Sequence, residues 1–139
     1  MDEHHDISLR ISRLTTVSYS TSFSMGVKLL AKPFRMPIYA IYGFVRVADE
    51  IVDTFHGHDQ QGMLEDFRKE TFRAIEEKVS TNPILQSFQW VVNTYHIDKE
   101  LTDSFFTSME MDLVKNNHDH ESYSQYIYGS AEVVGLMCL

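Results

Sequence analysis

The segment from Ile38 to Phe55 limits the possible folds more than any other. Its apolar residues, Ile38, Ala40, Ile41, Phe44, Val45, Val47, Ala48, Ile51, Val52 and Phe55, gather on one half of a helical wheel. Counting about 100° per residue, Tyr42, Arg46, Asp49 and Asp53 fall within roughly 60° of one another on the other side. Tyr39, Gly43, Glu50 and Thr54 widen that polar arc. A helix with so much apolar surface has to be covered by neighbours, and the rest of the chain offers helices to do it.

Strand signals are weak, because short alternating runs bounded by turns are missing. From Ser8 to Lys32 the sequence reads as one helix or two joined end to end, closed by "KPFRMP", with Pro37 opening the next helix and Thr54 near its end. "HGHDQQG" reads as a loop punctuated by Gly57 and Gly62. "MLEDFRKETFRAIEEKV" is amphipathic, with Leu64, Phe67, Phe72 and Ile75 near one face. Pro83 starts "PILQSFQWVVNTYH", and Asp98 suits the N-cap of "KELTDSFFTSMEMDLV". "KNNHDH" follows as a polar loop, and "ESYSQYIYGSAEVVGLMCL" closes the sequence inside an apolar run. Five to six helices and no sheet predict an all-α helical bundle. The uncapped apolar ending predicts that residues 1–139 are the N-terminal part of a single longer domain.

Length and charge narrow the function. At 139 residues the chain can bury a real core. A formal charge of −8, without any lysine-arginine run, argues against nucleic acid as a partner. "MDEHHDISLR" lacks the apolar run of a secretory signal, and no stretch approaches the roughly 20 apolar residues that span a bilayer. Cys138, the one cysteine, suits a reducing compartment. The expected setting is the cytoplasm, with peripheral contact at a membrane left open. A final apolar helix without its packing partner would also favour self-association.

Charges inside an apolar helix are costly unless paired or used. A solvated helix face is usually rich in Lys, Glu and Gln, whereas this seam has Tyr39, Tyr42 and Gly43 and no lysine, which favours the lining of a cavity. Asp49 and Asp53 are four residues apart, so their Cβ atoms lie about 6 Å from each other. Two carboxylates so placed repel unless a cation sits between them. Mg²⁺ accepts such oxygens, keeps several waters and takes phosphate at its remaining positions. Arg46, one turn earlier, can hold phosphate by a bidentate contact. Upstream, Ser18, Ser20, Thr21, Ser22 and Ser24 read either as hydroxyls that satisfy loose backbone groups at a helix junction or as donors to phosphate.

Four blocks, "SYSTSFS", "YAIYGFVRVADEIVD", "SMEMDL" and "YIYGSAEVVGLM", resemble in order those of the squalene and phytoene synthase family, from about Thr15 to the end. Within the family the combination is most similar to the bacterial phytoene synthases. The resemblance implies an isoprenoid-synthase-type helical bundle that joins two prenyl diphosphates head to head with Mg²⁺ as cofactor. It implies that Asp49 and Asp53 bind the metal, that Arg46 contacts diphosphate, and that Tyr42 and Tyr126 lie near the diphosphates and reacting carbons. Ser22 and Phe23 would stand at the mouth of the pocket. Ala131, Val134 and Gly135 would line the prenyl channel, with Met109 and Asp112 of an "MxxD" element in its wall.

Two departures from the family pattern matter. Glu132 stands where the family often has glycine. The family's second DxxxD, which faces the first across the cavity, has no match after Asp53, so the 139-residue chain is expected to lack synthase activity by itself. A squalene or dehydrosqualene synthase of the same family is the nearest rival reading, because product length depends on a few channel side chains. A non-catalytic helical interaction module is the rival from another class. It would leave the seam without a task. His56 and His58, like His118 and His120, form HxH pairs in polar loops, read as surface histidines rather than a zinc site. Trp90, Phe67, Phe72 and Phe88 fit core packing.

Overall fold

The computed structural model describes residues 2–19 and 32–114, and these form α-helices with no strand among them. The helices are α1 (Glu3–Tyr19), α2 (Lys32–Asp53), α3 (Gln60–Glu77), α4 (Pro83–Thr94) and α5 (Lys99–Val114). The fold is all-α, as the periodicity predicts. α2 is the central element and packs on all four others, while α4 lies against α1, α2 and α3. The hydroxyl cluster beyond Ser18, the "KNNHDH" loop and the closing apolar segment lie outside the described residues.

Capping side chains set the helix starts. The Asp2 carboxylate accepts from the His5 N–H at 2.8 Å, so α1 begins at Glu3, earlier than the expected Ser8. Asn82 accepts from Ile84 and Leu85 at 3.0 and 3.4 Å, and Pro83 occupies the first position of α4, where no N–H is needed. Asp98 accepts from Glu100 at 2.9 Å and opens α5. At the far end of α3, Lys78 takes a left-handed φ of 61° and returns its N–H to the Ala74 carbonyl at 2.8 Å.

Two expected boundaries are corrected. α2 begins at Lys32, so "KPFRMP" does not interrupt it and Pro37 lies inside the helix. Pro37 is in the second turn, where its missing N–H forfeits a single bond to the carbonyl four residues back. Gly62 belongs to the first turn of α3 rather than to the loop. Its N–H donates to Asp59 Oδ1 at 3.0 Å, and a Cβ at this position would collide with that capping carboxylate. Gly57, with φ of +87°, is the residue on which the loop turns.

Phenylalanines from four helices fill the core. Phe44 of α2 stacks on Phe88 of α4 with centroids 3.8 Å apart and planes 12° apart. Phe67, Phe105 and Phe106 surround Phe44 at 5.5, 5.4 and 5.7 Å. Each such ring buried from water contributes about 1.5–3 kcal/mol. Tyr39 and Gly43, placed on the polar arc by angle alone, turn inward, and Tyr39 is only 3% exposed. The reason is α1. Its Ser8, Ser12 and Thr16, one turn apart and fully buried, form a narrow face, and the position of a Cβ on Gly43 would lie 3.4 Å from the Ser12 Cα. The Ser8 and Thr16 hydroxyls donate to the His4 and Ser12 carbonyls at 2.7 and 2.9 Å, which lets them sit in the contact without loss. Phe55, expected on the apolar side, falls past the end of α2 and is exposed.

Candidate functional site

The outward face of α2 carries Tyr42, Arg46, Asp49, Glu50 and Asp53. Tyr42 is half-buried. The Arg46 guanidinium is the hub: Nη2 donates to Glu50 Oε1, and Nη1 stands 4.0 Å from Asp49 Oδ2. The side chains of Arg46, Asp49 and Glu50 are 27%, 26% and 21% exposed, so the cluster is partly withdrawn from water but open to a ligand. Asp49 and Asp53 point from successive turns, as their spacing requires.

Asp53 belongs to the last turn, and its surroundings resist its charge. Burial pushes its carboxyl above the ordinary carboxylate range, and the charge of Asp112 adds to the push. Arg46 opposes, Glu50 adds to the push and His56 opposes. Asp112 comes from α5, so two helices contribute acidic groups to one region. The α5 position is held by Arg68 of α3, which pairs with Asp103 and donates to Glu110 at 3.2 Å. The same guanidinium lies over the Phe72 and Phe106 rings at 5.9 and 6.0 Å. The end of α2 is fixed by Gln60, whose Nε2 donates to the Ile51 and Val52 carbonyls at 2.9 Å each. Gln60 therefore closes the loop beneath Asp53.

The donor set suits a hard cation. Carboxylate oxygens are what Mg²⁺ prefers, and the charges of Asp112 and Glu50, which add to the effect of burial on Asp53, are ones a cation would offset. Among the described residues no group of three or more His, Cys, Asp or Glu is gathered closely enough to hold a metal alone. Asp49 and Asp53 thus fit a site in which water and phosphate supply the remaining ligands. Met109 and Asp112, paired in one sequence element, part company in space. Met109 is fully buried in the core, whereas Asp112 is half-buried and acts on Asp53. Ser22, Phe23, Tyr126, Ala131, Glu132, Val134 and Gly135 lie outside the described residues. His56 and His58 are exposed, and His58 meets the Phe55 ring edge-on at 6.3 Å.

The family model for squalene/phytoene synthase matches residues 16–139. The chain belongs to the squalene/phytoene synthase family. It is 26% identical over 133 residues to a phytoene synthase of Arthrospira platensis, a match that takes in 95% of this chain and 43% of that protein. In fold this family member superposes on a dehydrosqualene synthase crystallised with a ligand, with a TM-score of 0.81 at 22% identity, over 99% of this chain and 48% of the other. It therefore spans less than half the length of both relatives.

Three structural features around the seam were not legible in the sequence. Glu50 belongs to the polar arc but to no motif position, and only the structure shows it holding Arg46. Gln60 reads as a loop residue, and nothing in "HDQQG" points to a side chain that caps the preceding helix. The approach of Asp112 to Asp53 joins residues 59 positions apart, which no local spacing can reveal.

Proposed function

We propose that this chain supplies one wall of a prenyl diphosphate site. In a protein carrying the whole family fold, that site joins two geranylgeranyl diphosphates head to head to give phytoene. One molecule loses diphosphate, and the double bond of the second captures the allylic cation. Loss of a proton closes a cyclopropyl diphosphate. Departure of the second diphosphate, rearrangement and loss of a further proton complete the product.

The observation that carries this reading is the α2 face, where a guanidinium fork lies among carboxylates one turn apart. Arg46 has the geometry to grip two diphosphate oxygens at once. Asp49 and Asp53 would hold Mg²⁺, whose positive charge, when bound, stabilises the departing diphosphate. Behind them, Phe44 and its neighbours keep water from the back of the seam.

The rival products, squalene and dehydrosqualene, use the same wall with shorter substrates. Incubating a protein that carries the whole fold with C15 and C20 diphosphates and Mg²⁺ separates them. A C40 product from C20 substrate alone is expected, and a C30 product would shift the assignment to the rival. The 139-residue chain alone is expected to turn over neither substrate, since it presents one aspartate motif. Phytoene formed by the purified chain would contradict this.

A further inference from the structure

Glu50 is the member of the seam that the proposed chemistry leaves without a task. It sits in the last turn of α2, together with Asp53 and with no basic residue. A carboxylate there faces the negative end of the helix dipole, which disfavours it. Its pair with Arg46 also runs in the weaker of the two orders for a helix, with the base N-terminal to the acid. Nonetheless the two are joined directly, while the Asp49 carboxylate, one residue away, stands back from the guanidinium at 4.0 Å. Arg46 is thus held by an acid in an unfavourable place, a contact that a stronger anion can displace. A diphosphate offers several oxygens of higher charge, with the geometry to take both Nη atoms.

We propose that Glu50 is an internal stand-in for the diphosphate. It keeps the Arg46 guanidinium neutralised and aimed along the seam, and it yields that guanidinium when the ligand arrives. Glu50 is then a positioning residue that acts through Arg46. When Arg46 turns to the ligand, the charge of Glu50, which already acts on Asp53, is less offset, so a cation that balances the carboxylates favours the exchange. The arrangement couples anion binding to the metal and sets its strength below what Arg46 could reach alone. This inference rests on the diphosphate reading of the seam.

The test follows pyrophosphate by ³¹P NMR line broadening, with MgCl₂ present, on the 139-residue chain and on Glu50→Gln, Arg46→Gln and the double variant. Thermal melts verify that each variant folds. Glu50→Gln is expected to bind magnesium pyrophosphate about two- to fivefold more tightly, the range that a pair of this exposure is worth. The gain is expected to vanish in the Arg46→Gln background, whereas a mere change of net charge would persist there. If Glu50→Gln binds no better than the parent, or the gain survives without Arg46, the stand-in role is overturned. The diphosphate reading then stands provided Arg46→Gln alone weakens binding. If neither the parent nor Glu50→Gln broadens the pyrophosphate signal, both are overturned for this chain.

Discussion

Asp53 carries a carboxylate whose charge its surroundings resist. Its carboxyl is raised from 3.8, chiefly by burial and then by Asp112. The sign follows from linkage: a raised acid contributes stability that is fully present below its unfolded value and is lost as pH rises through its folded value. At neutral pH the ionised group therefore works against the fold, weakly, because the burial is partial and Asp53 still reaches solvent. Asp53→Asn is expected to melt at or slightly above the parent temperature at pH 7, with the advantage closing below about pH 4. Melts of both proteins at the two pH values provide the check. A clear loss of stability at pH 7 would mean that the carboxylate is satisfied rather than repelled. Because a metal needs the ionised form, Mg²⁺ binding is expected to weaken on acidification sooner than for an ordinary carboxylate.

At the scale of elements, the contact of α1 with α2 is the most sensitive to size. Ser12 lies over Gly43, where a Cβ would just reach contact with Ser12 and Ile84 at 3.4 Å and a side chain extending further would have to move a helix. Gly43→Leu is expected to cost about 1–3 kcal/mol in urea unfolding, the usual penalty for overpacking. Unchanged stability would show that α1 can slide. The same contact explains which parts of the fold could be read in advance. α4 and α5 carry their own starting signals, Pro83 and Asp98, and α3 its apolar period, so local chemistry settles that these helices exist, although α3 starts at Gln60, earlier than its pattern predicts. The inward turn of Tyr39 and Gly43 could not be read, since wheel angles do not say which side α1 will cover. Pro37 misled because a proline's effect depends on how many bonds precede it in the helix. Buried His5 was equally hidden: its Nδ1 meets Gln86 Nε2 at 3.1 Å and its ring meets Trp90 at 5.3 Å, contacts more than 80 positions apart.

For the whole molecule, the aromatic core and the Arg68 clamp have one joint consequence. They hold α2 and α5 in a fixed relation, so that Asp53 and Asp112 meet at one end of the bundle. That Arg46, Asp49 and Asp53 share one face of α2 was legible because a helix repeats locally, and the convergence of α5 was not, because it depends on tertiary packing. The chain matches its relatives over less than half their length, so the proposed wall is one part of what a complete fold would present. The share of the chemistry proposed for this chain, a cation held at Asp49 and Asp53, can be measured directly. Calorimetric titration of Mg²⁺ into the chain with pyrophosphate present is the decisive measurement, repeated on Asp49→Asn and Asp53→Asn proteins that melt as the parent does. Saturable binding by the parent, weakened about tenfold or more in each variant, is the expected result. Equal affinity in all three proteins would contradict the assignment of the seam as a metal and diphosphate site.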